Sequence, residues 1–229
     1  MSGFVPLVIA VAIWLGLHIG IAGSGARAAL VARVGEAWFR AGFSIASLAA
    51  LGLLIAAYRN APTVPLWTAP GWLRWVLVFL MLPAFALFVG AVATPSPTFI
   101  GSEGAIANEP RGMLRITRHP MLWSFAIWGL VHMVGTGELA SLLFFGAFVV
   151  TAVAGMGSID AKLARRAPAQ WQRLAAVTSI VPGEAILEGR NRLVLAEFDW
   201  IVPLAGVVAW LALLYVHPYL FGAAPLPVQ

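Results

Sequence analysis

The segment Arg118-His119-Pro120-Met121-Leu122-Trp123-Ser124-Phe125-Ala126-Ile127-Trp128-Gly129-Leu130-Val131-His132 decides how the chain is read. A basic edge opens directly into an apolar run that closes on an imidazole. This is the pattern of a helix leaving a polar surface for hydrocarbon. There an ionisable side chain is costly unless it has a partner, a cavity or a metal, which makes it a functional-site candidate. His18 stands in a second apolar block, 4–21, so two histidines on separate helices are available to a ligand between them.

Working outward, the composition agrees. Of 229 residues 61% are hydrophobic and 10% charged, and there is no cysteine. A soluble domain of this length needs more polar surface than that. The apolar residues come in long blocks rather than at amphipathic spacing, which reads as membrane-spanning. Without cysteine, disulfides, iron–sulfur clusters, thiolate ligands and covalent haem attachment through C-x-x-C-H are excluded. The net charge of +5 reads as membrane topology and not as nucleic-acid binding. The opening Met1-Ser2-Gly3 carries no basic region ahead of its apolar run, so a retained helix is expected rather than a cleaved signal.

The expected fold is all-α, a polytopic membrane helix bundle forming a single domain over 1–229. About six spans are expected, at 4–21, 41–58, 73–93, 119–134, 139–156 and 200–221. The fourth needs 135–137 for extra length. Pro83 and Pro203 fall inside spans as expected kinks. The connections between spans 1–2, 3–4 and 5–6 hold twelve of the fourteen basic residues, Arg59 and Arg74 being the exceptions. The positive-inside tendency puts those connections in the cytoplasm of a bacterial inner membrane and both termini outside. Between spans 5 and 6, residues 158–176 read as a cytoplasmic amphipathic helix, with Leu163, Ala167, Trp171 and Leu174 on one stripe.

Geometry separates the four histidines. His119 and His132 lie about 20 Å apart on one helix and face directions differing by about 140°. They cannot share a metal, so a pair of histidine ligands must draw on His18. Gly16 and Gly20 beside His18 are spaced for close approach of another helix or a flat cofactor. Trp128 lies one turn before His132 on the same face. His119, just ahead of Pro120, sits with Arg115 and Arg118 where an anion is attracted: a propionate, a phosphate or a carboxylate. By depth His119 matches His18 better, because His132 is offset by about 15 Å in straight helices. Both pairings therefore stand. His217, before Pro218, is expected at the interface.

These residues resemble the NnrU family and the related 15-cis-zeta-carotene isomerases. The carriers are His18-Ile19-Gly20 with Arg27 and Gly35-Glu36, Arg115 to Pro120, Trp128-Gly129-Leu130-Val131-His132, and Asp160 with Lys162-Leu163. The resemblance implies an integral membrane protein and, in the isomerase branch, haem b held by two histidines that fall on His18 and His132. That branch isomerises a cis double bond in a lipophilic polyene; the NnrU branch is tied to nitrogen-oxide metabolism in denitrification. The further histidine that isomerases carry in the fifth span has no counterpart here. A more distant likeness is to isoprenylcysteine methyltransferases and membrane sterol reductases. It implies a nucleotide cofactor held at the cytoplasmic face by Arg118, His119 and Asp160. A third expectation is a non-enzymatic assembly factor for a respiratory or denitrification reductase. The partners implied are membrane lipid or a lipophilic substrate, without nucleic acid; no catalytic residue and no oligomeric state is assigned.

Overall fold

The computed structural model describes residues 2–94, 96–98 and 103–227; Met1 and the last two residues of the Ala/Pro-rich end lie outside these. The chain is an all-α membrane helix bundle. Helix α1 (Val5–Leu15) runs on into a π-helical stretch, Gly16–Ala22, and α2 (Ala26–Val34), α3 (Glu36–Arg59) and α4 (Gly71–Ala93) follow. Further along come the single turn α5 (Met113–Ile116), α6 (Pro120–Thr136), α7 (Leu139–Arg166), α8 (Pro168–Val177), the single turn α9 (Glu184–Leu187) and α10 (Ile201–Phe221).

Among the described residues five stretches are long and apolar enough to cross a bilayer: Val5–Ala22, Glu36–Arg59, Gly71–Ala93, Leu139–Arg166 and Ile201–Phe221. The remaining expected span is α6, which has 17 residues. It rises about 26 Å against a hydrocarbon core of about 30 Å. Gly137, at φ +62°, ends the helix one residue after Thr136, so 135–137 adds no further turn.

Two expectations need correction. The amphipathic helix over 158–176 is not one element. Residues 158–166 continue the fifth span, and α8 starts only at Pro168. Proline lacks the N–H an interior helical residue needs and pushes its predecessor out of the helical region. Ala167 accordingly takes φ −143°, ψ 65°. Likewise Pro203 does not interrupt its span but lies in the first turn of α10, where its missing N–H costs nothing; Pro218 is the proline inside that helix.

Contacts group the chain into two compact units. One comprises the residues up to Pro70 with Gly129–Ser158, the other Gly71–Trp128 with the residues from Ile159 onward. In the first, α1 packs on α3, and each buries one stripe at helical spacing: Leu7, Ala10 and Trp14 on α1, Ala50, Leu54 and Ala57 on α3. The other faces of both helices expose Val8, Ile9, Ile45 and Leu48, as suits lipid. In the second unit α4 packs on α10. Gly206 makes this approach close, since a Cβ there would stand 3.3 Å from the Ala86 Cα. Small residues at such contacts are how helices associate where lipid removes the hydrophobic drive. Trp72, Trp75, Tyr215 and Tyr219 are exposed at one end of this helix pair, the place of an interfacial aromatic belt.

Within the first unit the α6–α7 turn is locked. The amides of Leu66 and Trp67 both donate to the Gly137 carbonyl, at 2.8 and 3.2 Å. A Cβ on Gly137 would stand 2.1 Å from the Trp67 carbonyl oxygen, and the backbone there is left-handed. Gly137→Ala should therefore lower stability by about 2–3 kcal/mol. Gly52→Ala, at a position with open space around it, should be neutral or slightly stabilising. Thermal unfolding of the two variants in detergent checks the contrast.

Candidate functional site

The Arg-His-Pro turn joins α5 to α6. Thr117 is extended, His119 precedes the first helical residue, and the stretch is stitched to residues 178–180. The Arg118 amide donates to Ser179 O at 3.1 Å, and Thr117 Oγ1 and Trp123 Nε1 donate to Ile180 O at 2.6 and 2.8 Å. This sets Arg118 and His119 facing Asp160 on α7. Arg118 donates Nε and Nη2 to Asp160 Oδ2, at 2.9 and 2.8 Å. His119 Nε2 donates to Oδ1 at 2.7 Å. A third guanidinium nitrogen donates to Thr178 O, and the Arg118 group lies 5.2 Å from the Trp171 ring centre.

The cluster is buried, with His119 at 0% exposure, Asp160 at 8% and Arg118 at 9%. One carboxylate balances one guanidinium. Since the ionised carboxylate can only accept, the bridging ring proton belongs on His119 Nε2. His119 Nδ1 is then left buried without a hydrogen-bond partner.

Arg115 is also turned onto a carboxylate. Its Nε and Nη2 form a two-pronged contact with Glu197, both at 2.7 Å, and Nη1 donates to Asn191 Oδ1. Glu197 also accepts from the Gly112 amide. The Arg115 guanidinium, with help from that amide, holds the Glu197 carboxyl down at about 2 from an ordinary 4.5. The same hydrogen bond raises Arg115.

A carboxyl depressed in the folded state contributes stability that is complete above its unfolded value and is lost as the pH falls through the folded one. The thermal midpoint of the native chain should therefore fall more steeply than that of Glu197→Gln between about pH 4.5 and 2. About a fifth of each side chain is exposed, so added salt should shrink the difference.

The second group of candidate residues lies in the first unit. His18 sits in the π-helical stretch, a helix form that recurs at functional sites. Its Nδ1 donates to the Trp14 carbonyl at 2.9 Å, and its ring stacks on the Trp14 indole at 4.0 Å, with Phe43 edge-on at 5.5 Å. A carbonyl can only accept, so this bond fixes the tautomer and leaves Nε2 with its lone pair, as in metal-bound histidines. Trp14 is itself anchored to Thr151 on α7 at 2.9 Å. A Cβ added at Gly16 or Gly20 would meet nothing within 4 Å, so the face beside His18 is open.

His132 stacks on Phe145 of α7 at 4.8 Å. The contacts of Trp14 with Phe148 and Thr151, and of Gly23 with Ser158, bring His18 level with about residue 153 of α7. His132, level with Phe145, is then offset by about 12 Å along the axis. His18 leans back onto Trp14, toward that level. One iron between two imidazoles needs about 4 Å between nitrogens, with bonds near 2 Å. Neutral imidazoles suit haem iron, and sharing one iron across this offset requires both side chains to turn toward each other along the axis. The rings of Trp14, Phe148, Phe144 and Phe145 stand in successive contact between the two histidines.

Trp128 lines a small apolar cavity of about 170 Å³ with Phe85, Phe88 and Phe125. His217 Nδ1 donates to Ala223 O beyond the last helix. No group of three or more His, Asp or Glu residues suited to a metal occurs among the described residues. The sequence reading did not single out Glu197, Asn191 or Thr151, because nothing local marks a partner that far along the chain.

Comparison with known proteins adds three findings. The chain is 28% identical over 136 residues to the chloroplastic 15-cis-zeta-carotene isomerase of Arabidopsis thaliana, covering 56% of this chain and 37% of that protein. The Zea mays isomerase is 28% identical over 115 residues, covering 48% and 31%. The chain thus spans about a third of the length of these relatives. No solved structure matches. The family model described as NnrU protein matches residues 6–225, nearly the whole chain, and the chain belongs to that family.

Proposed function

We propose that this NnrU-family membrane protein holds haem b from His18 and His132 and acts on a lipophilic polyene of the carotenoid class. The observation that carries the reading is the His18 tautomer, with Nδ1 tied to Trp14 O and Nε2 left to accept beside the open Gly16–Gly20 face. The similarity to the plant isomerases supports the substrate class. Haem, when bound, supplies a reversible change of iron oxidation state by which a cis double bond can be isomerised.

The protein's own part is positional. The Trp14 carbonyl orients His18, and Phe43 restrains its ring edge. The rings of Trp14, Phe148, Phe144 and Phe145 form a continuous apolar row that links His18 to His132. On the same reading, the three arginine-rich connections face the cytoplasm of a bacterial inner membrane and both termini face outward. An optical spectrum of the purified protein, oxidised and dithionite-reduced, tests the proposal. A Soret band that shifts on reduction supports it. A colourless protein from haem-sufficient cells overturns it.

A further inference from the structure

We infer that the second unit contains a binding site for a phosphate-bearing ligand, distinct from the histidine pair and from the Arg-His-Pro cluster. A cavity of about 740 Å³ is walled by Arg115, Arg173, Arg190 and Arg192, with Asn191 and Glu109 also on its lining. That volume falls in the range of small-molecule sites. Arg118, His119 and Asp160 do not line it.

The four guanidinium groups fall into two kinds. Arg115 is fixed by Glu197 and Asn191. Arg190 is fixed by Glu188 and by the carbonyls of Ala176 and Thr178, where α8 ends. Among the described residues the Arg173 and Arg192 guanidinium groups have no hydrogen-bond or ion-pair partner. Glu188 and Glu197 are engaged by the two fixed arginines and Glu109 is the one lining carboxylate, so the surplus positive charge of the cavity rests on Arg173 and Arg192.

A single carboxylate on the ligand would satisfy one fork. Two unpartnered forks beside two held ones match a tetrahedral oxyanion carrying two or more charges, such as a phosphomonoester or diphosphate. Leu174 and Val177 give the same cavity an apolar side, which accommodates the organic part of the ligand. The phosphate can belong to a soluble ester or to a lipid headgroup; the contacts it makes are the same.

The test uses the full chain purified in zwitterionic detergent or in phosphatidylcholine nanodiscs. Inorganic pyrophosphate is titrated calorimetrically in one arm. In the other, nanodiscs with and without phosphatidic acid are compared by native mass spectrometry for retained lipid. The native chain should bind one of these probes, and Arg173→Gln/Arg192→Gln should weaken that binding about tenfold or more. Arg165→Gln/Arg166→Gln, exposed and outside the cavity, should leave it within about twofold. Pyrophosphate binding identifies a soluble source, and selective retention of phosphatidic acid a lipid one. Binding of neither probe, an unaffected cavity variant, or equal loss in both variants overturns the inference. Should the cavity variant unfold, Arg173→Lys/Arg192→Lys retains charge without the fork and should show an intermediate loss; unchanged binding there also overturns it.

Discussion

Asp160→Ala should cost about 3–5 kcal/mol of stability, because it removes the one carboxylate that serves two buried partners. Arg118 would remain 9% exposed with its counter-ion gone, and His119, fully buried, would lose its one ring partner. The free energy lost is chiefly that of stranding a desolvated guanidinium rather than the net worth of the pair. Asp160→Asn keeps the shape and one acceptor and should fall between the native chain and the alanine variant. Replacing both charged partners, Asp160→Leu with Arg118→Met, should recover much of the loss. Apolar groups of similar volume remove the desolvation penalty along with the attraction. Thermal unfolding in detergent measures all four proteins. A loss below about 0.5 kcal/mol in Asp160→Ala would show that water reaches the cluster.

On the haem proposal, His18→Ala should abolish the Soret band altogether. His18 is the imidazole whose second nitrogen is already committed to a backbone carbonyl, so no other tautomer competes with ligation. Added imidazole should restore part of the absorbance by filling the space the side chain leaves. His132→Ala should shift or weaken the band, and Gly16→Leu should lower haem retention by filling the open face while His18 stays intact. The helical circular dichroism of the variants should match the native chain, which separates ligand loss from unfolding. Undiminished Soret absorbance in His18→Ala would remove this residue from the site.

What the sequence made legible follows from the range of each interaction. Helices are local, and apolar blocks of about 20 residues located most span ends to within about five residues; the fifth span, expected to end at 156, runs on to Arg166. Arg118, His119 and Asp160 were named together only through a family likeness; no spacing says that residues about forty apart share one buried contact. Glu197 was silent for the same reason, since an acidic residue 82 positions from Arg115 looks like any surface charge. The single helix expected over 158–176 failed at Pro168, although the missing N–H was there to be read. The widened turns around His18 left no trace, because π-helix and α-helix draw on the same apolar residues.

Those widened turns alter how the first span must be charted. Each one lags behind the ordinary 100° advance per residue, so a helical wheel drawn from Val5 loses phase after Leu15. Side chains from Gly16 onward are aimed by their count from the start less the lag accumulated in the widened turns. Gaining or shedding one residue between Gly16 and Ala22 would swing the whole downstream stretch around the rod.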